Sequence, residues 1–551
     1  MSDILTIKIA GPAGLGIKSG GLLLSEILLA HGFNLHDYSE YPSLIRGGHN
    51  TYQVSFSFAP FSSVLSSVDI FFSLAPNHHR QHQSEFHSNT LIFTPDNLPF
   101  DQSLSKSNNI ICLGVISFIL GLNQKICRQL VKASYPQFAS ANLTAFQLGF
   151  NHASAKFADK KINLNLPRHC RGFPSKKLKN HQIYDGNQAF SWGFIRGGGD
   201  FYAAYPMTPS TGALHTLASL QKKHSIKVIH PEDEIAAASM VAGASFAGSR
   251  SAVGTAGGGF ALMNETVSFC GVAEIGVVFY LASRPGPATG LPTWTGQSDL
   301  LFAVFAGHGD FPKIVLASSD QQDSYDLSLS ALNLADCLQA PVILLSDKFI
   351  AESSTNLSDL STARTVITTG PVFKKVSDNF RRYNWSTKSG VSPRSLPGTP
   401  GGEFIANSYE HDQFGFATED PSIVTKMIQK RAKKLHTALK LCPPPIFFGS
   451  KTAKNLIISW GSTKGPILQA LSKLKDKNDY ALLHLRTLWP INPDLKLLIK
   501  PFKKIFVIEN NQSGQLTQLL KSQFNFNPDR QILKFDGRPF FPEELVLKFK
   551  I

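Results

Sequence analysis

At 551 residues the chain is too long for one hydrophobic core, and three or so domains are expected. Hydrophobic residues make up 42% and charged residues 17%, which fits a globular protein, and no apolar run reaches the roughly 18 residues of a membrane span. The net charge of +15 raises the question of nucleic acid, but the lysines are scattered over the C-terminal third and concentrated in one linker, with no aromatic residues interleaved. No nucleic-acid partner and no membrane partner are expected; a basic surface that attracts an acidic protein fits better.

The six cysteines (Cys112, Cys127, Cys170, Cys270, Cys337 and Cys442) form no Cys-x-x-Cys pair, and most lie in apolar runs. Reduced, buried thiols in a cytoplasmic protein are expected, with no metal held by this chain alone. Met1-Ser2-Asp3 offers no basic region before Ile4, so no signal peptide is expected.

Taken in order, residues 3–10 alternate as a strand, Gly11-Pro12-Ala13-Gly14-Leu15-Gly16 is a turn, and Lys18 to Ala30 reads as a helix. That layout cradles phosphates, yet the spacing is not the dinucleotide fingerprint, so tight strand–helix packing is the better explanation of the glycines. Arg46-Gly47-Gly48-His49-Asn50 precedes a strand at 51–58. Arg46 is either functional or a turn arginine bonded to local carbonyls. Further strands are expected at 68–75 and 90–94, and 110–122 is an apolar run. Residues 1–154 are read as an α/β domain. Residues 155–184, with Lys156, Lys160, Lys161, Arg168, Arg171, Lys176, Lys177 and Lys179, are read as a basic linker.

A second domain, 185–352, alternates strand and helix as in a parallel, doubly wound sheet. Its strands deliver Tyr205-Pro206-Met207-Thr208-Pro209-Ser210, then His230-Pro231-Glu232-Asp233-Glu234, then Thr255-Ala256-Gly257-Gly258-Gly259, and finally Arg284 in a proline-stiffened loop ending Gln297-Ser298-Asp299. Two prolines hold Thr208 at a fixed place for a ligand, or Thr208 caps the helix that starts near Thr211. Glu232, Asp233 and Glu234 suit a helix N-terminus. The glycines allow a close approach. Arg284 is placed for a carboxylate or phosphate, or ties loop carbonyls.

Residues 353–450 are poorly periodic and read as an extended connecting segment. His411, between Glu410 and Asp412, is there either a surface hydrogen-bonding residue or a catalytic one. Residues 451–551 form a compact α/β unit with Trp460-Gly461-Ser462-Thr463-Lys464-Gly465 and Glu509-Asn510-Asn511-Gln512-Ser513-Gly514-Gln515.

Four of these stretches, Tyr-Pro-Met-Thr-Pro-Ser, Glu-Asp-Glu, Arg-Pro-Gly-Pro-Ala-Thr-Gly-Leu-Pro-Thr and Tyr-Glu-His-Asp, occur in an order and spacing that resemble the α subunits of 2-oxoacid:ferredoxin oxidoreductases of the 2-oxoglutarate synthase type. The resemblance covers nearly the whole chain: a fused γ domain, a thiamine-diphosphate pyrimidine domain, a connecting segment and a transketolase C-terminal-like domain. It implies oxidative decarboxylation of a 2-oxoacid to an acyl-CoA, with thiamine diphosphate as cofactor, coenzyme A as co-substrate and electrons passed to ferredoxin. By matching, Glu234 (counted to the downstream Gly243) bonds the aminopyrimidine ring, Thr208 and Arg284 meet the substrate, and Tyr205, Pro206, Thr208, Glu234, Gly257 and Gly258 line the cofactor. The chain departs from the usual Thr-Ser-Gly-Pro-Gly at 255–259 and from the usual isoleucine at Met207. It lacks the Gly-Asp-Gly…Asn-Asn motif and cluster cysteines. The resemblance puts Mg2+, pyrophosphate and a [4Fe-4S] cluster on a separate β subunit, giving an α2β2 heterotetramer. The alternatives are the same chemistry on pyruvate or another 2-oxoacid, or a non-catalytic subunit that binds coenzyme A or a nucleotide.

Overall fold

The computed structural model describes residues 4–44, 47–100, 106–162, 164, 178, 180–376 and 380–549. Arg46 and the linker residues Arg168, Arg171, Lys176, Lys177 and Lys179 lie outside the described residues, as do Met1-Ser2-Asp3 and Cys170.

The chain divides into two compact units. The first takes residues from 1–184, 353–359 and 541–551. Its seven-stranded sheet has the order Phe86–Phe93, Val68–Ser73, Leu5–Gly11, Asn50–Ser57, Asn34–Glu40, Ser354–Ser358 and His181–Asp185. Leu5–Gly11 runs parallel to Val68–Ser73 and antiparallel to Asn50–Ser57, so the sheet is mixed. The apolar run at 110–122 is the helix Asn108–Ile119, buried on almost every side, which is why it shows no period. It crosses the helix Ala139–Lys156 at close range: a Cβ on Gly114 would meet the Phe146 carbonyl at 2.2 Å, and one on Gly149 the Ile111 carbonyl at 2.1 Å. Only glycine permits that approach.

The second unit takes residues 185–352 and 360–540 and holds two sheets. In the first the order is Thr487–Trp489, Ile314–Ala317, Val342–Asp347, Val278–Ser283, Ser251–Thr255, Phe201–Ala203 and Lys227–Ile229. Six strands are parallel, as the alternation predicts, and Thr487–Trp489 closes one edge antiparallel. In the second sheet Ile446–Phe448 is an antiparallel edge beside the parallel strands Tyr480–Leu485, Asn455–Trp460, Lys504–Glu509 and Arg530–Leu533. Val315, Ile343, Leu456, Ile458 and Leu483 belong to one buried cluster, so the two sheets share a core.

Residues 353–450 differ from the sequence reading. Ser354–Ser358 is a strand of the first unit, and Pro421–Leu441 is a helix of 21 residues. Asp420 caps that helix through bonds from the Ser422 and Ile423 amides. Its inward face carries Lys430, Arg431 and Lys434, so no apolar stripe marks it. His411 is not a surface residue: it is fully buried, its ring tilted against Tyr383 with centroids 4.2 Å apart, and Nδ1 stands 3.1 Å from the Tyr409 carbonyl oxygen. The residues 541–551, read with the C-terminal domain, fall in the first unit. Among the described residues no helix is long and apolar enough to cross a membrane.

Candidate active site

Four neighbouring parallel strands of the second unit, Val278–Ser283, Ser251–Thr255, Phe201–Ala203 and Lys227–Ile229, end side by side. Their following loops carry the candidate residues, as expected of the carboxyl edge of an open α/β sheet. The loops are tied to one another. The Tyr205 ring stands edge-on to His230 at 5.9 Å. Thr255 Oγ1 donates to Met207 Sδ at 3.9 Å. Arg284 Nη1 donates to the Thr208 carbonyl oxygen at 2.7 Å.

Glu234 opens the helix Glu234–Phe246 and is buried, 5% exposed. Asp233 is the cap, accepting from the Ala236 amide at 2.8 Å, so the cap role falls to the neighbour and leaves the Glu234 carboxylate to its surroundings. Glu232 stands outside the helix.

The glycine run is the first turn of the helix Gly257–Leu262 rather than a loop. Its three glycines have different neighbours. A Cβ on Gly257 would stand 3.0 Å from both carboxylate oxygens of Asp299. On Gly258 it would meet nothing within 4 Å. On Gly259 it would stand 2.2 Å from Thr255 Oγ1 and 2.8 Å from Glu234 Oε1. Gly259, absent from the sequence-based set, is thus the one that makes room for the glutamate. Gly259→Ala is expected to displace Glu234 and cut activity about 100-fold while Gly258→Ala leaves it near wild type, read as steady-state turnover of the two variants. The open side of Gly258 also explains the departure at 255–259: a proline fits the first turn of a helix, so its loss removes rigidity without changing the space.

Thr208 is half-buried and does not cap the following helix. That helix begins at Thr211, Ser210 holds the cap position, and Ser210 Oγ and N both donate to the Met207 carbonyl oxygen, at 2.8 and 2.9 Å. The loop is fixed from behind by Asn187, a buried residue that the sequence motifs did not single out. Asn187 Nδ2 donates to the Pro209 carbonyl oxygen at 2.9 Å, and Asn187 Oδ1 accepts from the Tyr280 hydroxyl at 3.2 Å.

Arg284 is partly buried, and with one nitrogen on the Thr208 carbonyl it keeps further donors for an anion. Burial pushes the Asp299 carboxyl up from its ordinary range, with Arg284 acting against the shift. Among the described residues the buried Asp299 Oδ2 atom has no hydrogen-bond partner.

The loop from Arg284 to Asp299 is held by the second sheet. Gln297 Oε1 accepts from the Asn510 amide at 2.8 Å, Gln297 Nε2 donates to the Trp460 carbonyl oxygen at 3.0 Å, and Asn511 Nδ2 donates to the Gln297 carbonyl oxygen at 3.1 Å. Gln515 Nε2 donates to the Ser298 carbonyl oxygen at 2.7 Å. Glu509 supports the motif from beneath, accepting from Asn511 Nδ2 at 3.0 Å and the Leu516 amide at 2.8 Å. The Glu-Asn-Asn-Gln-Ser-Gly-Gln stretch therefore positions the Arg284 loop.

A doubly wound sheet that gathers a buried glutamate, a glycine-opened helix start and an arginine at adjacent strand ends has the arrangement of a thiamine-diphosphate-binding domain. The family of pyruvate flavodoxin/ferredoxin oxidoreductase thiamine-diphosphate-binding domains matches residues 193–430, and the pyruvate ferredoxin/flavodoxin oxidoreductase family matches residues 6–152. The α subunit of 2-oxoacid:ferredoxin oxidoreductase 2 from Aeropyrum pernix is 33% identical over 467 residues, covering 80% of this chain and 71% of that one. A Sulfolobus 2-oxoacid:ferredoxin oxidoreductase α subunit is 29% identical over 620 residues, covering 98% and 96%. The structure of 2-oxoglutarate:ferredoxin oxidoreductase from Magnetococcus marinus, with 2-oxoglutarate, coenzyme A and succinyl-CoA bound, superposes with a TM-score of 0.90 at 29% identity, over 100% of this chain and 99% of that one. The chain belongs to the α subunits of the 2-oxoacid:ferredoxin oxidoreductases, the family that its motifs resemble.

Proposed function

We propose that this chain is the α subunit of an enzyme that oxidatively decarboxylates a 2-oxoacid, 2-oxoglutarate first among them, to its acyl-CoA and passes the electrons to ferredoxin. The observation that carries the reading is the buried Glu234 carboxylate with Gly259 packed against it, in one connected group with Thr208 and Arg284. The 2-oxoglutarate preference draws on the Magnetococcus enzyme and on 2-oxoglutarate oxidoreductase subunit KorA of Mycobacterium tuberculosis, 27% identical over 454 residues. The Aeropyrum and Sulfolobus relatives are named for 2-oxoacids in general, which keeps other 2-oxoacids as the second reading.

The residues fit thiamine diphosphate. Glu234 is buried, its carboxylate has no hydrogen-bond partner among the described residues, and the bare side of Gly258 is open, with nothing within 4 Å. When bound, the cofactor supplies the electron sink for losing CO2. Glu234 would hold its aminopyrimidine ring, Tyr205 and Pro206 would flank it, and Gly257 and Gly258 would let it approach the backbone. Arg284, anchored on the Thr208 carbonyl, would hold the substrate carboxylate through its remaining N–H groups. Thr208 would place its hydroxyl beside the reacting carbon. Mg2+, the pyrophosphate contacts and a [4Fe-4S] cluster are assigned to a separate β subunit in an α2β2 assembly. The segments 1–154, 155–184, 185–352, 353–450 and 451–551 are proposed as the γ domain, basic linker, pyrimidine domain, connecting segment and transketolase C-terminal-like domain of such a chain.

Co-purification of the tagged chain from its host tests the reading. A brown complex with a cysteine-rich partner that reduces a low-potential dye with 2-oxoglutarate and coenzyme A is expected. A colourless chain, inactive with every 2-oxoacid, would overturn it. Within the active complex, Arg284→Ala is expected to raise the KM for the 2-oxoacid by about 10–100-fold, the value of a charge-assisted hydrogen bond, and to affect kcat less. An unchanged KM would remove Arg284 from the substrate site.

A further inference from the structure

Residues 421–540 contain 21 of the 54 lysines and arginines and 6 of the 39 acidic residues, so their formal excess equals the +15 of the whole chain. The other residues balance. Part of this charge has internal work: Lys430 and Lys434 meet Glu274, and Arg486 meets Asp323.

Much of the remainder gathers at one place. The strands Asn455–Trp460, Tyr480–Leu485, Lys504–Glu509 and Arg530–Leu533 are parallel, with Asn455 opposite both Tyr480 and Lys504. Their N-terminal ends form one edge. Leading into them are Lys451, Lys475, Lys477, Lys500, Lys503 and Lys504, all exposed and none in an ion pair among the described residues. Lys454, at the same edge, pairs with Asp479 at 2.9 Å. Four strands spaced about 4.8 Å apart put these ammonium groups on a face roughly 15–20 Å wide.

Helix dipoles explain only part of it. Lys473 and Lys521 stand at the C-terminal ends of the helices Lys464–Ser472 and Gln515–Phe524, where cations are favoured. The six exposed lysines lie outside those helices, in the turns before the strands and, for Lys504, at the first strand residue, and they repel one another. A protein keeps such a face at a cost in stability, which an anionic partner offsets.

We propose that this edge is a docking face for an acidic protein. The Gln297 contacts are made at the opposite, C-terminal ends of the same strands. Six residues of strand separate the two ends by about 20 Å, so the partner binds without covering the candidate active site. The composition of the face selects the class of partner. Its unpaired cations are lysines, and no exposed aromatic residue stands among them, which suits neither base stacking nor bidentate phosphate recognition. Asp476, Asp479 and Asp529 interrupt the lysines, and a lipid headgroup layer would press anions against those carboxylates. A protein surface can set a cation opposite each aspartate and carboxylates opposite the lysines.

The test uses the purified enzyme complex, wild type and Lys475→Glu/Lys477→Glu/Lys503→Glu/Lys504→Glu. Three probes are compared at equal salt: poly-L-glutamate, a short DNA duplex and phosphatidylglycerol–phosphatidylcholine vesicles. The wild type is expected to bind poly-L-glutamate best, with affinity falling as salt rises, and the variant to lose about tenfold or more. Dye reduction with the 2-oxoacid is expected to be the same in both, which shows that the variant is folded. A variant that binds poly-L-glutamate within about twofold of wild type would overturn the proposal. So would stronger binding of the wild type to DNA or vesicles.

Discussion

Glu234→Gln is expected to lower decarboxylation of the 2-oxoacid by about 10²–10⁴-fold, the usual contribution of a positioned proton-transfer group. The substitution keeps shape and removes the charge. Glu234 makes no hydrogen bond among the described residues that the change would break, and Asp233 retains the helix cap. Fold and assembly should therefore survive. The melting temperature should stay level or rise, because a buried carboxylate becomes a buried neutral amide. Two measurements separate the role from a structural one: single-turnover release of CO2, which should fall, and gel filtration of the αβ complex, which should not move. Thiamine diphosphate should still bind, more weakly. Gly259→Ala is expected to resemble Glu234→Gln in activity, since both act on the same carboxylate. Full CO2 release by Glu234→Gln would end the assignment of Glu234 to the cofactor.

Much of this site was legible because each loop follows a strand with a readable period, and because proline and glycine mark the loops. Which acid of 232–234 enters the site was not legible from helix physics alone, since all three suit a helix N-terminus. Matching to the family selected Glu234, and the cap bond of Asp233 is consistent with that division. Gly259 and Asn187 were missed for different reasons. Three glycines in a row look alike until their neighbours are known. Asn187 acts through Pro209 and Tyr280, which are 22 and 93 residues away. The helix Pro421–Leu441 was missed although Asp420-Pro421 is a readable start. Its buried residues include Lys430, Arg431 and Lys434, and hydrophobic periodicity cannot report a face made of cations.

That cationic face yields the largest expected effect on stability. Glu274 follows the helix Asn264–Val272 with φ at 56°, and its side chain is fully buried. Lys430 Nζ stands 2.6 Å from Oε2 and Lys434 Nζ stands 2.7 Å from Oε2, while Arg382 Nη2 donates to the Glu274 carbonyl oxygen at 3.0 Å. Burial works to raise the Glu274 pKa, but Lys430, Lys434 and Arg382 together hold it well below the carboxylate range. One carboxylate does not neutralise three cations. Burial, against the pull of Glu274, brings Lys430 down to about 7 and Lys434 down to about 8 from an ordinary 10.5. Glu274→Gln leaves both ammonium groups buried without a counter-charge and is expected to cost about 3–5 kcal/mol. The pH dependence has a defined sign. A lysine whose pKa is lower in the folded chain binds more protons when unfolded, so stability rises with pH between the folded pKa values near 7–8 and the ordinary 10.5. Without Glu274 both lysines are depressed further, so the variant starts lower at neutral pH and recovers more steeply as the solution is made alkaline. Calorimetric melting of wild type and Glu274→Gln across that range measures both features. Adding Lys430→Met to Glu274→Gln should restore part of the loss, because it removes one of the stranded charges and leaves an apolar side chain of similar length. If the double variant melts below the single one, Lys430 is contributing packing rather than charge, and the cluster holds the helix Pro421–Leu441 by shape.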